Sequence, residues 1–327
     1  MLEVAKQRAG LLLGPNRTTT QQNLSMHSII LVNPHASGGR ARKLQPHILQ
    51  WCQRQNETNI VREPVQVTMP ESIREALQLL EKLPCPSRVI IVGGDGTLNQ
   101  MLPGLLKAHH EVGLVPYGSG NDCARAWGLH RMSWQQALAH ALDGTASAID
   151  IGRVALDHKA VRFFHSSLAL GFDASVGNRA LAGPKFLRGL MRYLLATFRE
   201  LAFLNNWPLK VEIDGQLVHE GPCLLSSALN TPTYGGGMPA VPHASINDGQ
   251  LNVLIGGTFN RLQTLLMLPR LLIGKHLGHP RIQCHAFLKA IMTCDASVPV
   301  AADGETLGFA KHVQIECNAK ALNVVKI

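Results

Sequence analysis

The order of strand-like and helix-like segments in the first half of the chain limits the possible folds more than any other feature of the sequence. Short strand-like runs, most of them apolar throughout, occur at residues 28–32, 65–68, 87–92 and 112–116. Helix-like patterns lie between them, as at residues 71–83 and from about residue 97. Short apolar strands separated by helices predict a parallel sheet covered by helices on both faces. Sheets of this kind bind ligands in the loops at the carboxyl ends of their strands.

After about residue 146, strand-like segments follow one another, among them 161–169, 290–294 and 298–301. A hairpin signal lies at Asp214-Gly215, and two helical segments interrupt the strands at 184–204 and 259–277. This pattern predicts an antiparallel β-sandwich or partly open barrel. We therefore predict an α/β chain in two domains, with the last residues packing back on the first domain. The predicted divisions are a polar tail at 1–27, a parallel-sheet domain at 28–146 and an antiparallel β domain at 147–327.

Composition narrows the choice of partner and compartment. The chain of 327 residues carries a formal net charge of +9, which favours an anionic partner. Only 5% of the residues are aromatic, and neither a zinc-finger nor a helix-turn-helix signature occurs, so no nucleic acid is expected to bind. The seven cysteines are scattered without a CxxC motif, which indicates reduced thiols in the cytoplasm. The longest apolar stretch, 186–204, is interrupted by three arginines and does not predict a transmembrane helix.

A glycine-rich loop follows the strand at 87–92. It reads Gly93-Gly94-Asp95-Gly96-Thr97 and runs directly into a predicted helix. Glycines allow a close approach of the backbone to a phosphate, and the N-terminus of the helix adds a favourable dipole. The loop is neither a Walker A motif nor a Rossmann fingerprint. A strand-to-helix turn with an aspartate cap is the alternative explanation.

A second glycine loop follows the next strand, at residues 115–122. There Gly118, Ser119 and Gly120 precede Asn121 and Asp122, which are natural N-cap residues. Capping alone explains one such loop. Because the carboxyl ends of neighbouring parallel strands meet at one edge of the sheet, two such loops together predict a grip on one nucleotide.

In combination, these motifs resemble the diacylglycerol kinase catalytic-domain family, which includes the bacterial soluble lipid kinases and is related to the sphingosine kinases. Further landmarks of that family follow in the family order. They are the loop at 33–39, Ile149–Gly152, Gly171–Ala174, Tyr234–Gly237, Asp248–Leu251 and Asp303–Glu305. The resemblance covers about residues 28–327. The first glycine loop alone is shared with NAD kinases, so the ordered set carries the specificity.

The resemblance implies a co-substrate and a metal. ATP is expected in a cleft between the domains, and Mg²⁺ is expected on the Asp248 carboxylate with the carbonyls of Ser245 and Gln250, since oxygen ligands suit this ion. Ser119 stands where many relatives have threonine, and it keeps the hydroxyl group. The implied contacts to ATP come from Asn33, Thr68, Gly93, Gly94, Asp95, Gly96, Thr97, Leu98, Asn99, Gln100, Ser119, Asn121 and Asp122.

The resemblance also implies that Asp303 and Glu305 are catalytic. A carboxylate at this turn can take the proton from a lipid hydroxyl while the glycine loops hold the transferred phosphate. The sequence leaves open which of the two is the base, and a plain hairpin turn is the alternative explanation. One departure stands out, because His165 and its neighbours occupy a segment where many relatives have an asparagine.

The predicted function is an ATP-dependent lipid kinase acting on a diacylglycerol-like acceptor at the membrane surface, in lipid metabolism and phospholipid biosynthesis. The alternatives are an NAD kinase-like enzyme and an inactive nucleotide- or lipid-binding protein. Apolar residues of the segment 187–202 recur at helical spacing with arginines beside them. Such a helix either packs on its own core or lies on an anionic membrane at its cytoplasmic face. A homodimer is compatible with the sequence.

Overall fold

The computed structural model describes residues 26–57, 65–184, 187 and 189–327. All but the last two residues of the tail predicted at 1–27 therefore lie outside the described residues. The elements of the N-terminal half are β1 (Ser28–Val32), α1 (Arg40–Glu57), β2 (Gln66–Thr68), α2 (Ile73–Lys82), β3 (Arg88–Gly93), α3 (Asp95–Lys107), β4 (Glu111–Pro116), α4 (Asp122–Ala126) and α5 (Trp134–Asp143).

The strands of this half form a parallel sheet in the order β4-β3-β1-β2. Its apolar runs are buried on both faces, as expected for a sheet between helices. Ile29 and Leu31 pack with residues of α2 and α3, whereas Ile30 and Val32 pack with residues of α1 and α5. The alternation of neighbouring side chains between the two cores follows from the strand period of two residues.

The C-terminal half is mostly antiparallel. Its elements are β5 (Ala146–Leu156), β6 (Arg162–Phe164), β7 (Ser167–Gly171), α6 (Phe172–Leu181), α7 (Gly189–Glu200), a 3-10 turn (Leu201–Phe203), β8 (Trp207–Ile213), β9 (Gln216–Cys223), β10 (Leu225–Leu229), β11 (Leu251–Gly256), α8 (Arg261–Leu272), β12 (Ile282–Phe287), β13 (Lys289–Ala302) and β14 (Glu305–Val325). Strands β12, β11, β10, β7, β13 and β14 pair in that order, with β8 and β9 beside β13 and with β5 and β6 beside β14.

The long strand β14 joins the two halves. Its first part pairs with β13 and its central part also with β5, while Asn323 and Val324 pair in parallel with Glu111 and Val112 of β4. One hydrogen-bonded sheet therefore runs through both halves of the chain. It places β4, the edge strand of the parallel sheet, directly beside the end of β14. The predicted fold class, a parallel α/β half followed by an antiparallel β half, is confirmed.

The bounds of several predicted strands and helices were wrong. The strand predicted at 161–169 is two strands, β6 and β7, because the chain turns at His165 and Ser166. The strands predicted at 290–294 and 298–301 are the single strand β13, which carries a bulge between Thr293 and Val298. The helix predicted at 184–204 is the shorter α7 followed by the 3-10 turn, and α6 was not predicted. None of the described helices is both long and apolar enough to cross a membrane.

Candidate active site

A cleft of about 380 Å³ lies at the carboxyl ends of β1, β3 and β4, opposite the β13–β14 turn and the helices α6 and α7. Both halves of the chain line it. The predicted residues on its walls are Asn33, Gly94, Asp95, Gly96, Thr97, Gln100, Ser119, Asp122, Asp303 and Glu305. The parallel sheet therefore presents the two glycine loops to the turn that joins the last two strands.

The two glycine loops contact each other backbone to backbone. A Cβ atom added to Gly94 would lie 2.6 Å from the Cα atom of Gly118, so neither position has room for a side chain. The Asp95 carboxylate accepts the main-chain N–H groups of Asp122 and Cys123, each at 3.0 Å. These N–H groups open α4 and would otherwise lack a partner. Asp95 therefore ties the first loop to the second and does not itself point freely into the cleft.

The second loop is held from within and from the C-terminal half. Asn121 has a left-handed backbone (φ 54°), and its side-chain oxygen accepts the Gly118 N–H at 2.9 Å. The carboxylate of Asp122 accepts the Gly236 N–H at 2.8 Å. Burial raises the pKa of Asp122, and the neighbouring charge of Asp95 raises it further. The contact with Gly236 brings the glycine run 235–237 to the wall of the cleft.

The end of β1 supplies a side-chain pair beside the first loop. The Asn33 amide donates to the Thr97 hydroxyl at 2.7 Å. These two residues and Gln100 also line a neighbouring groove of about 230 Å³ that reaches the start of α2. Thr68, which pairs with Leu31 in the sheet, is not among the described residues that line the cleft.

Three further predicted residues support the cleft from beneath. Leu98 is fully buried in the hydrophobic core of the first half. A Cβ atom on Gly93 would lie 2.7 Å from the hydroxyl oxygen of Thr97, so this glycine leaves room for that side chain. The amide of Asn99 donates to the Phe163 carbonyl at 2.9 Å and to the Asp303 carboxylate at 2.7 Å.

The two carboxylates of the β13–β14 turn have opposite surroundings. Asp303 accepts the main-chain N–H groups of His165, Ser166 and Ser167, each at 2.9 Å, as well as the Asn99 amide, and its side chain is fully buried. Glu305 is half-buried and lines the cleft, and its carboxylate forms no hydrogen bond with the described residues. Its Oε1 atom lies 2.8 Å from the place of a Cβ on Gly96, directly over the start of α3. Only Glu305 is available to a ligand.

His165 bridges the loop and the turn. Its Nε2 atom lies 3.0 Å from the Asp95 carbonyl oxygen and 3.3 Å from the Asp303 carboxylate, and the side chain is fully buried. Two acceptors beside Nε2 require the proton on that nitrogen. The histidine therefore supplies a donor that connects the first glycine loop with the β13–β14 turn.

An acid flanked by two tyrosines forms the far wall of the cleft, and the sequence alone assigns it no role. The Asp173 carboxylate accepts the hydroxyls of Ser227 and Tyr234, each at 2.9 Å, and that of Tyr193 at 3.5 Å. Burial raises the pKa of Asp173 to about 6. The runs Gly171–Ala174 and Tyr234–Gly237 belong to the motifs that resemble the family. The sequence does not show that Asp173 of the first run contacts Tyr234 of the second.

The same three residues, Asp173, Tyr193 and Tyr234, also line a second cavity of about 70 Å³. The rest of its wall is almost entirely apolar and comes from α6, α7, α8 and the sheet between them. It includes Phe172, Val176, Leu224, Leu254, Phe259, Met267, Leu268 and Leu271. The polar cleft therefore adjoins an apolar compartment, with a tyrosine–carboxylate cluster at their common wall.

The described residues that line the cleft carry mostly negative charge. Asp95, Asp122, Asp173, Asp303 and Glu305 line it, whereas Arg192 is the only lysine, arginine or histidine among the described lining residues. The Arg192 guanidinium donates to the Leu181 carbonyl at 2.7 Å and to the Gly183 carbonyl at 3.1 Å, which holds α7 against the end of α6.

The predicted metal loop lies apart from the cleft. Neither Ser245, Asp248 nor Gln250 is among the described residues that line it. Asp248 is exposed, and its carboxylate accepts the Gln250 N–H at 3.1 Å, while the buried Asp150 accepts the Gly249 N–H at 2.7 Å. The loop thus offers one free carboxylate oxygen and main-chain carbonyls, which is a donor set that suits a hard cation. Among the described residues, no group of three or more His, Cys, Asp or Glu side chains is arranged so that it could hold a metal ion by itself.

Comparison with known proteins assigns the class. The diacylglycerol kinase catalytic domain matches residues 27–154, and the YegS C-terminal NAD kinase beta sandwich-like domain matches residues 166–326. A diacylglycerol kinase of Mycobacterium tuberculosis is 30% identical over 240 residues, which cover 73% of this chain and 76% of that protein. A probable YegS-like lipid kinase of Chromohalobacter salexigens is 32% identical over 192 residues, 56% of this chain and 58% of that one.

Solved structures agree on the fold. A putative diacylglycerol kinase from Bacillus anthracis matches with a TM-score of 0.71 at 18% identity, covering 93% of this chain and 98% of that one. An NAD kinase from Archaeoglobus fulgidus, solved in complex with ATP, matches with a TM-score of 0.51 at 14% identity over 91% and 93% of the two chains. The chain belongs to the family of the diacylglycerol kinase catalytic domain, with a YegS-type C-terminal domain, and the resemblance seen in its motifs is confirmed. The names of its relatives support a lipid kinase.

Proposed function

We propose that this chain is an ATP- and Mg²⁺-dependent kinase that transfers the γ-phosphate to a hydroxyl group of a diacylglycerol-like lipid. The observation that carries the proposal is Glu305, an unengaged carboxylate over the first turn of α3. It lines a cleft that shares a wall with an apolar cavity. The names of the relatives as diacylglycerol kinases and lipid kinases point the same way.

The two glycine loops are the proposed site of the ATP phosphates. Main-chain N–H groups at the start of α3, together with the dipole of that helix, favour an anion there. The Ser119 and Thr97 side chains line the same side of the cleft. The neighbouring groove shares Asn33, Thr97 and Gln100 with the cleft and has room for the nucleoside. A protein of the same fold, the NAD kinase of Archaeoglobus fulgidus, was solved with ATP.

The proposed reaction moves one proton and one phosphoryl group. Glu305 accepts the proton of the acceptor hydroxyl while the oxygen of that hydroxyl forms a bond to the γ-phosphorus of ATP. At the same time the bond between the γ-phosphorus and the bridging oxygen breaks, and ADP leaves with that oxygen. Asp303 is the less suitable base because its carboxylate is already occupied by three main-chain N–H groups and the Asn99 amide. We assign it the task of fixing the turn on which Glu305 stands.

The carboxylates of the cleft explain a requirement for Mg²⁺. Among the described lining residues, five acidic side chains stand against one arginine, and such a set does not attract a polyphosphate. When bound with ATP, Mg²⁺ supplies the missing positive charge on the phosphates. A separate Mg²⁺ held by Asp248 with the carbonyls of Ser245 and Gln250 would stabilise its own loop, because those residues lie outside the lining of the cleft.

The acceptor side of the proposal follows from the apolar cavity. An alkyl chain gains about 0.8 kcal/mol for each methylene removed from water, so an apolar cavity beside a phosphoryl-transfer site favours a lipid over a nucleotide acceptor. The Asp173 carboxylate and its tyrosines stand where the polar head of such a lipid would meet its chain. We place the reaction at the cytoplasmic face of a membrane.

Transfer of radiolabel tests the assignment. The purified chain is incubated with γ-labelled ATP and Mg²⁺, in parallel with a total lipid extract in detergent micelles and with NAD. We expect label in a lipid product, identified by chromatography and mass spectrometry, and none in NADP. Label in NADP alone would make the chain an NAD kinase, and binding of ATP without any labelled product would make it an inactive binding protein.

A further inference from the structure

Helix α8 is apolar on two opposite sides. Thr264, Met267, Leu268 and Leu271 line the apolar cavity. The opposite stripe consists of Leu262, Leu265, Leu266, Pro269 and Ile273, which follow at i, i+3, i+4, i+7 and i+11. All five are exposed, and the side chains of Leu262, Leu266 and Ile273 remain about two-thirds exposed. Burial in the protein's own core explains the inner stripe but not the outer one.

Exposed apolar side chains also lie on α7 and on the 3-10 turn after it, which contacts α8. The Arg261 guanidinium, at the start of α8, donates to the Ala202 carbonyl in the 3-10 turn at 2.9 Å. Phe203 in that turn and Phe198 one turn earlier are exposed by 68% and 54%. Met191, two helical turns before Phe198, is exposed on the same side of α7. The apolar residues of the segment 187–202 therefore do not all face the same way. Ala196 and Leu201 pack in the core, whereas Met191 and Phe198 are exposed.

We call this surface the outer face and define it by Met191, Phe198, Phe203, Leu262, Leu265, Leu266 and Ile273. Seven of the sixteen large apolar side chains that are exposed in the described part of the chain belong to it. A monomeric soluble protein rarely leaves such a patch without a partner.

The charge around the α8 part of the outer face has one sign. Residues 249–294 contain no aspartate or glutamate but do contain Arg261, Arg270 and Lys275. At 100° per residue, Arg261 and Arg270 lie roughly 80–100° to either side of the exposed stripe of α8. These side chains and Arg199 are exposed and form no ion pair with any described residue. Cations that flank an exposed apolar stripe suit an anionic lipid surface, into which the leucines insert while the cations meet the headgroups.

We infer that the outer face docks on an anionic bilayer. The inference rests on the proposed lipid kinase activity, since an acceptor held in a bilayer must pass from it into the cleft. The geometry gives α8 two tasks, because its outer stripe meets the membrane while its inner stripe lines the apolar cavity. Docking through this face brings that cavity next to the lipid, and both glycine loops stay on the cytoplasmic side.

Vesicle co-sedimentation without ATP tests the inference independently of activity. Neutral phosphatidylcholine vesicles are compared with vesicles that contain about one-third phosphatidylglycerol. We expect binding to the anionic vesicles and a loss of roughly thirtyfold in partitioning for Arg261→Gln/Arg270→Gln and for Leu262→Ser/Leu266→Ser. The controls are Lys43→Gln/Lys159→Gln and Leu217→Ser, which change exposed side chains elsewhere and should bind as the unchanged protein does.

Phosphorylation of acceptor in detergent micelles separates the two proposals. If the outer-face variants keep that activity and their melting temperature but lose activity on vesicles, the docking inference is supported. If the unchanged protein phosphorylates micellar lipid yet binds neutral and anionic vesicles equally, docking is overturned and the kinase assignment stands. A dimer in sedimentation velocity that Leu262→Ser/Leu266→Ser dissociates, with no change in vesicle binding, would assign the face to a second copy of the chain and overturn docking.

Discussion

The two walls of the cleft are built by different means. One wall, the glycine wall, consists of residues 94–97 and 118–122, where backbone packs on backbone and carboxylates tie main-chain N–H groups together. The other, the acid–tyrosine wall, consists of Asp173, Tyr193 and Tyr234, where a buried carboxylate is surrounded by side-chain hydroxyls. The close packing of the glycine wall leaves no room for larger side chains at Gly94 and Gly118. The acid–tyrosine wall, in contrast, could recognise a different ligand after a few side-chain substitutions.

This difference suggests a division of tasks between the walls. A phosphate is the same in every kinase reaction, and a wall of main-chain N–H groups recognises it without using side chains. Lipids differ in their heads and chains, and a wall of side chains beside an apolar cavity can distinguish them. Glu305 lies where the two walls face each other, because it covers Gly96 from the turn of the opposite half.

Replacement of Glu305 should have the largest effect. Glu305→Gln keeps the shape of the side chain but cannot accept a proton, so kcat should fall by roughly 10²–10⁴ while the affinity for ATP stays unchanged. The measurements are steady-state kinetics with the acceptor in micelles and titration of an ATP analogue. Glu220→Gln, an exposed glutamate on β9, is the matched control. Retention of a tenth or more of kcat would remove Glu305 from proton transfer.

The neighbouring acid provides a contrast to this variant. Asp303→Asn weakens charge-assisted hydrogen bonds to three N–H groups, so its main effect should be on folding, with a loss of about 3 kcal/mol in the free energy of unfolding. Glu305→Gln should leave that quantity nearly unchanged, since the Glu305 carboxylate forms no hydrogen bond with the described residues. Unaltered stability of Asp303→Asn in urea unfolding would contradict the structural task assigned to it.

The glycine wall should fail when a single methyl group is added. Gly94→Ala places a Cβ atom 2.6 Å from the Cα of Gly118, so the loops must separate. We expect the affinity for ATP to fall by roughly thirtyfold in calorimetry, consistent with the 1–3 kcal/mol cost of overpacking. Gly278→Ala is the control because a Cβ atom there meets nothing within 4 Å. Equal affinity in the two variants would show that the close contact of the loops is not needed for binding.

The sequence predicts the glycine wall far better than the acid–tyrosine wall, for a physical reason. Each glycine loop is a local strand-to-helix turn, so the chemistry of a few consecutive residues determines its shape. Asp173 meets Tyr234 only through the pairing of β7 with β10, which are far apart in the sequence. The choice between Asp303 and Glu305 likewise depends on where β6 ends, because the N–H groups after it occupy Asp303. Which stripe of α8 faces outward also depends on tertiary packing.

The acid–tyrosine wall should make the stability of the protein depend on pH. Burial raises the pKa of Asp173 from 3.8 to about 6, so the folded chain holds a proton that the unfolded chain has lost between these values. This proton contributes about 3 kcal/mol to the free energy of unfolding. The contribution is fully present below about pH 4 and is lost as the pH rises through about 6. Relative to Asp173→Asn, which stays neutral, the unchanged protein should therefore become less stable over this range in urea unfolding.

The same variant tests the proposed contact with the acceptor. Asp173→Asn should raise the KM for the lipid by about tenfold and leave the KM for ATP unchanged, since Asp173 lies on the wall shared with the apolar cavity. Asp295→Asn, an exposed acid on β13, is the control for both experiments. If the two variants show the same dependence of stability on pH, then Asp173 is not the group that titrates near pH 6.

The smallest effect is expected at the metal loop, which belongs to neither wall. If Asp248 holds a Mg²⁺ that stabilises its own loop, millimolar Mg²⁺ should stabilise the ATP-free protein by about 1–2 kcal/mol, and Asp248→Asn should abolish that gain. Because Asp248 does not line the cleft, kcat should change by less than about twofold. Thermal unfolding with and without Mg²⁺ measures the first quantity and kinetics at saturating ATP the second. A large loss of kcat with unchanged stability would mean that the cation at this loop acts on the reaction itself, across the distance that separates the loop from Glu305.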